Sequence, residues 1–464
     1  MAKRLFALLL CAAMASGLAA CGGQGDKPSS SSAQEPASSA ASDSSDAPAE
    51  PSGDGQFEGE VRVYSMSPDR SAFWDEMSQN YMDKNPGVKM AFEVFEAGQY
   101  YSALSTALQA DDMPELFTSH GSKNANLLQY INAGVVLDLD PYFTEEDLSV
   151  FNEYLIQRAK VGGKLYMTPG SYMDTWPVFY NKDIFAKYNI SVPKTWDEFI
   201  AALDTLTANG VVAMGMPGKD VKGPAQTIML IQHAMTPEWV SDMVNYKFDG
   251  EPNGRLTDPR FKEGLVEFQR WIDAGYFGAD WKGLDTNGGI LEFTSGKSAM
   301  WCRGSYDKDA ICANKEINVG AFNPPTKDGK RSLIAGQDCA SGFSVYSKAE
   351  NLDLALDVLK HLFSADQMQI IADAGQNVPG RTDVTSSDAV FAELEQEPAE
   401  VVLPLYSDYF GALGLEGLDT WVEYKSVCTQ LAYGEITPDQ FIEDMETNTI
   451  DYETRNFDPW GDGR

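Results

Sequence analysis

The chain has 464 residues, with 69 acidic against 35 basic side chains and a formal net charge of −34. So acidic a protein lacks the basic footprint that nucleic acid requires and is repelled by anionic lipid; the charge keeps an exported protein soluble. From Phe57 onward the chain is too long for one small core and suits two lobes.

Lys3 and Arg4 precede an apolar run from Leu5 to Ala20, too short to span a bilayer comfortably and right for a signal-peptide core. It ends in Leu18-Ala19-Ala20-Cys21-Gly22, which resembles a bacterial lipobox and implies cleavage before Cys21 and diacylglycerol on its sulfur. An ordinary signal peptide with an incidental cysteine is the alternative. From Gly22 to Gln56 there is no Val, Ile, Leu, Met or aromatic residue, which predicts a disordered tether. As a flexible coil of about 35 residues it reaches on the order of 30 Å. No later stretch is apolar enough to span a membrane, so a lipid on Cys21 would be the sole anchor.

Val61 and Val63 alternate with polar neighbours as a first strand, followed by the loop Ser65 to Arg70. Ala72 to Lys84 reads as a helix with Phe73, Met77 and Tyr81 on one face. Asn85-Pro86-Gly87 turns into a strand from Val88 to Phe95. Tyr101 to Ala110 is a predicted helix and Pro114 to Thr118 a short buried strand. Such alternation predicts α/β lobes with mostly parallel sheets.

Lys164 to Thr168 reads as a short strand and Trp176 to Tyr180 as another. Between them, Ser171 to Trp176 is too irregular for helix or strand and carries Tyr172, Asp174 and Trp176. Asn181-Lys182-Asp183 opens a helix. Thr195 and Glu198 form a capping box for the next, with Phe199, Leu203 and Leu206 at helical spacing and Gly210 as its stop. Further on, Leu352 to Phe363 and Ser364 to Ala374 read as a helical pair, the second with a Ser364/Gln367 capping box and Gly375 as its stop.

Gly163-Lys164-Leu165-Tyr166, Pro169, Phe179-Tyr180-Asn181-Lys182-Asp183, Phe185 and Pro193 to Phe199 together resemble the signature of family 1 extracellular solute-binding proteins, the sugar receptors of ABC importers. Asp112 to Phe117, Gly134 to Leu139, Phe293 to Met300, Gly304-Ser305-Tyr306, Pro379 and Arg381 extend the resemblance over nearly all of Val61 to Glu453. Tyr306 stands where the family often has Trp, and Gly336-Gln337-Asp338 where it often has Gly-Gly. The resemblance implies an α/β, two-lobed, periplasmic-binding-protein-like fold with a central cleft and three inter-lobe crossings. The implied division is signal peptide 1–21, tether 22–56, first lobe 57–169 with 341–377, and second lobe 170–340 with 378–464.

A receptor for a neutral polyhydroxylated ligand needs aromatic faces for the sugar's C–H surface and fixed polar groups for its hydroxyls. Asp174, Trp176 and Tyr172 in the connector are the first candidates; Trp176 either touches ligand or packs in the second lobe. Asp69 and Arg70 after the first strand, and His120 and Lys123 after the strand ending at Thr118, lie at the carboxyl ends of a sheet, where ligands of open α/β folds gather. Trp301 and Tyr306 flank the Gly-Ser element, and Asp338 lies at the second crossing. For Trp239, Trp281 and Trp421 core packing is the favoured reading.

No metal or other cofactor is expected. The three His, at 120, 233 and 361, are far apart, and no G-x-S-x-G, P-loop or H-E-x-x-H motif occurs, so an enzyme is not expected; a carboxylate-only Ca²⁺ site stays open. Cys302, Cys312, Cys339 and Cys428 are either buried thiols or partners in disulfides, with a Cys302–Cys312 loop able to close. The expected protein is a monomeric, lipid-anchored, extracytoplasmic receptor that passes a carbohydrate, in particular an oligosaccharide, to membrane permease subunits. The alternatives are a non-sugar solute in the same fold, or a surface glycan-binding protein without a transport role.

Overall fold

The computed structural model describes residues 57–66, 71–95, 97–119, 125–220, 222–245, 256–336, 342–375, 378–396, 399–404 and 420–453. The chain divides into two units, Met1–Pro51 and Ser52–Arg464, and all described residues belong to the second. The expected signal peptide, Cys21 and tether lie outside the described residues. In chain order the strands are β1 (Gly59–Met66), β2 (Val88–Phe95), β3 (Leu116–Thr118), β4 (Lys160–Val161), β5 (Lys164–Leu165), β6 (Tyr172–Met173) and β7 (Val178–Asn181). They continue with β8 (Val212–Met214), β9 (Ser298–Cys302), β10 (Val319–Phe322), β11 (Ser332–Ala335), β12 (Phe343–Val345), β13 (Val378–Pro379) and β14 (Val401–Pro404).

The first sheet has the order β12-β3-β1-β2. β1 pairs in parallel with β2 (Val61↔Met90, Val63↔Phe92) and with β3 (Val63↔Leu116), the helices Ser71–Lys84 and Ala97–Ala110 supplying the crossovers. Only β12 runs antiparallel, Phe343 opposite Thr118. Val61 and Val63 are fully buried, and with Trp74, Tyr100, Leu116 and Phe343 they form a core that also takes in the helix Leu352–Leu362.

The second sheet, β10-β7-β9-β8, departs from the expectation of mostly parallel strands. β7 is antiparallel to both β9 and β10, and only β8–β9 is parallel. Every residue of β7 and β9 is buried nonetheless, because each face carries its own core. Val178, Tyr180, Met300 and Phe322 pack against the helices Trp196–Ala208, Lys222–Met235 and Pro259–Asp273. Phe179, Trp301 and Ala321 point the other way, onto Phe293, Ile311, Phe391 and Leu394.

Two other readings need correction. The Ser364 side chain does not cap the helix Ala365–Asp373; its hydroxyl donates back to the His361 carbonyl at 2.8 Å. Thr195 does accept from the Glu198 amide at 3.2 Å, but the Glu198 carboxylate takes the Lys194 amide at 2.7 Å, so that box is shifted by one residue. Cys302, Cys312 and Cys428 are free thiols, and Cys339 lies outside the described residues. Burial pushes the Cys302 thiol up to about 12 and that of Cys312 up to about 11, so neither is a thiolate near neutrality. No helix among the described residues is long and apolar enough to cross a membrane.

Candidate functional site

Among the buried core residues described, the chain passes between the first core and those of the second lobe at three places. Met173 packs in the first core and Trp176 in the second, so Asp174 and Thr175 carry the first change. β11 alternates: Leu333 and Ala335 face the first core, Ile334 the second. The third change falls between Val384 and Phe391. These passages are tied to one another by backbone. Gly336 donates to the Asp174 carbonyl at 2.6 Å and Trp176 to that of Ile334 at 2.9 Å. The connector Ser171 to Trp176 is therefore not wholly irregular: β6 within it pairs antiparallel with β13, Tyr172 opposite Pro379.

At this junction one polar group stands out. Ser305 and Thr175 exchange bonds: the Ser305 amide donates to the Thr175 carbonyl at 2.8 Å, and the Thr175 amide donates to Ser305 Oγ at 3.1 Å. The Ser305 hydroxyl reaches Asp174 Oδ1 at 3.5 Å. Next to it the Tyr306 ring meets the Trp176 ring edge-on, centroids 5.8 Å apart. Gly304 makes room for that ring, since a Cβ there would sit 2.2 Å from Tyr306 Cε1.

Behind Tyr306 lies Arg303, only 4 % exposed. Its guanidinium donates to Gln226 Oε1 at 2.7 Å and to the Asp307 carboxylate, and it stacks over both Tyr306 (5.7 Å) and Trp301 (5.5 Å). Gln226 in turn donates to the Tyr306 hydroxyl at 3.4 Å. Burial raises the Tyr306 phenol above its ordinary value, with the Arg303 charge acting against it, so the hydroxyl stays neutral. Nearby, burial acts to raise Asp220, yet the Thr286 hydroxyl (2.5 Å) and the Lys222 amide (3.0 Å) hold it low, with a contribution from the Arg303 charge. The result is a neutral ring and hydroxyl beside a carboxylate, held rigid by a compensated buried charge. That arrangement suits hydrogen bonding to hydroxyls more than chemistry on a bond.

Of the predicted residues, the structure brings together Asp174, Trp176 and Tyr306. Trp176 is 8 % exposed, and its Nε1 is buried with no partner in the structure described. Tyr172 is buried in the first core and Trp301 packs beneath Arg303, so neither ring lies open. Trp239 and Trp281 are core residues. Asp69, Arg70, His120, Lys123 and Asp338 lie outside the described residues, as does the Trp421 side chain. Sequence reasoning missed Arg303, Gln226, Ser305 and Asp307. Arg303 carried a signal: a cation between a fully buried strand and a Gly-Ser turn has to be paired. Gln226 carried none. Among the described residues no group of three or more His, Cys, Asp or Glu could hold a metal.

Comparison with known proteins gives the same outline. The family profile described as bacterial extracellular solute-binding protein matches residues 65–369. The "Multiple sugar-binding protein" of Streptococcus mutans is 23% identical over 318 residues, 67% of this chain and 72% of that one. An ABC transporter extracellular-binding protein of Pyrococcus horikoshii, itself uncharacterized, is 21% identical over 398 residues, 83% of this chain and 82% of its own length. Among solved structures, the solute-binding protein RafE of Streptococcus pneumoniae in complex with raffinose superposes with a TM-score of 0.67 at 18% identity, covering 85% of this chain and 100% of RafE. These relatives are named for binding, and the fold they share is two-lobed. With a family match over residues 65–369, which takes in the whole second sheet, most of the first and the first two passages between the cores, the chain belongs to the bacterial extracellular solute-binding protein family.

Proposed function

We propose that this chain binds a neutral oligosaccharide in the cleft between its two lobes and delivers it to the permease of an ABC importer. Asp174 and Tyr306, backed by Trp176, Arg303 and Gln226, hold the ligand. The protein is not an enzyme. It acts as a monomer outside the cytoplasm, tethered through 22–56 to a lipid on Cys21. The observation that carries the reading is the Tyr306 ring and neutral hydroxyl set beside Asp174 at the passage between cores. A sugar presents an apolar C–H face and hydroxyls that both donate and accept, which such a site satisfies without a net charge in the ligand. The raffinose bound by RafE and the name of the Streptococcus mutans relative support the ligand class.

Closure around the ligand shifts an open–closed equilibrium by the difference in affinity of the two forms. The test is a thermal-shift panel of mono- and oligosaccharides against the chain from Gln56 onward. A ligand at a hundred times its dissociation constant stabilises by about 2.7 kcal/mol. If only ionic solutes raise the melting temperature, the sugar assignment is wrong.

A further inference from the structure

A cavity of about 310 Å³ lies in the second lobe and shares no residue with the group around Asp174 and Arg303. Separate stretches of chain build it: Tyr180 and Lys182, Val192-Pro193, Phe322-Asn323, Arg331, and the helix Ala389–Gln396. That helix lies beyond the segment matched by the family profile, which ends at residue 369.

Three features make the cavity more than a surface dent. First, Asn323 lines it while being only 4 % exposed, and its Oδ1 has no partner in the structure described. A buried acceptor left unpaired is unfavourable unless something supplies a donor. Second, Lys182 pairs with Glu393, their side chains 31% and 27% exposed, so the pair stands toward solvent while Asn323 lies deeper. Third, Gly320 of edge strand β10 lets three of the lining side chains pack closely over the backbone: a Cβ there would come within 2.5 Å of Tyr180 Cε1 and of Lys182 Cε, and 2.7 Å of Glu393 Oε2.

We infer that this cavity is a second binding site, taking one ring of a neutral polyhydroxylated compound of monosaccharide size. The Lys182–Glu393 pair offers both donors and an acceptor, and the Arg331 side chain lines the same cavity, so the wall holds the mixed hydrogen-bonding groups that ligand hydroxyls match. Tyr180 and Phe322, ring centroids 5.6 Å apart, give the apolar side. A ligand hydroxyl donates to Asn323 Oδ1.

The experiment uses the soluble chain with D-glucose, D-galactose or D-xylose added to about 50 mM, as suits a millimolar single-ring site. Hydrogen–deuterium exchange is read on peptides covering β10 and the helix Ala389–Gln396. We expect protection there from at least one sugar. Asn323→Leu is expected to weaken it about tenfold or more, at an equal or higher melting temperature, because the orphan acceptor is gone. Glu393→Gln, nearer solvent, serves if the leucine variant does not fold, and is expected to weaken the protection about threefold. Protection confined to the passages between the cores, unchanged protection in the substituted chain, or a crystal grown with sugar showing only water on Asn323 Oδ1 overturns the site.

Discussion

Tyr306 does two separable things at the proposed site. Its ring packs edge-on against Trp176, and its hydroxyl takes a bond from Gln226. Tyr306→Phe keeps the ring and removes one hydrogen bond, so sugar affinity is expected to fall about tenfold or less. Tyr306→Ala removes the face as well, and a loss of about a hundredfold follows. Titration calorimetry on both variants, with melting curves to show that they fold, checks the pair. Binding by the alanine variant equal to wild type would move the site away from Tyr306. Asp174 and Trp176 were legible in the sequence because an acid and an indole in a short connector have few local roles. Gln226 was not, since it is one of many buried residues on the helix Lys222–Met235 and its role depends on Arg303, 77 positions away.

Individual elements were legible where local chemistry decides them. β2 spans the predicted Val88 to Phe95, and Gly210 and Gly375 end their helices at φ +75° and +68°, a conformation that disfavours other residues. Strand direction in the second sheet was not legible. Continuous burial is the usual mark of a parallel sheet, yet β7 and β9 earn it by having a core on each face while running antiparallel. The β6–β13 pair escaped for another reason: two residues per strand leave no period to detect, and pairing comes from contact between distant segments. Beside that pair, Gly380 donates to the Ser171 carbonyl at 2.9 Å and accepts from the Asn152 amide at 2.9 Å. A Cβ on Gly380 would lie 2.0 Å from the Gly170 carbonyl oxygen. Gly380→Ala therefore has to displace one backbone from the other, an overpacking effect of about 1–3 kcal/mol. Urea unfolding is expected to show a lower midpoint at unchanged slope, and an unaltered midpoint would mean that the two segments separate freely.

For the molecule as a whole, the question is whether its two cores unfold separately. A family of two-lobed receptors invites the expectation of two independent lobes, but β11 argues otherwise. Leu333 and Ala335 are buried in the first core and Ile334 in the second, so a single strand cannot leave one core without leaving the other. β11 also pairs with β14 over Ser332↔Val401 to Ala335↔Pro404, and its neighbour Gly336 is bonded to Asp174. Independent unfolding would break this strand's packing while half the molecule was still folded. We therefore expect one cooperative transition in urea, seen alike by far-ultraviolet circular dichroism and by tryptophan fluorescence. Leu333→Ala and Ile334→Ala each remove a buried side chain worth about 2–4 kcal/mol, one from each core. Both should lower the same midpoint. Two resolved transitions, with each substitution moving only its own, would show that β11 merely passes between the lobes without coupling them. A single midpoint moved by both would mean that a ligand held at the passage between cores stabilises the whole receptor, and not only the lobe it touches first.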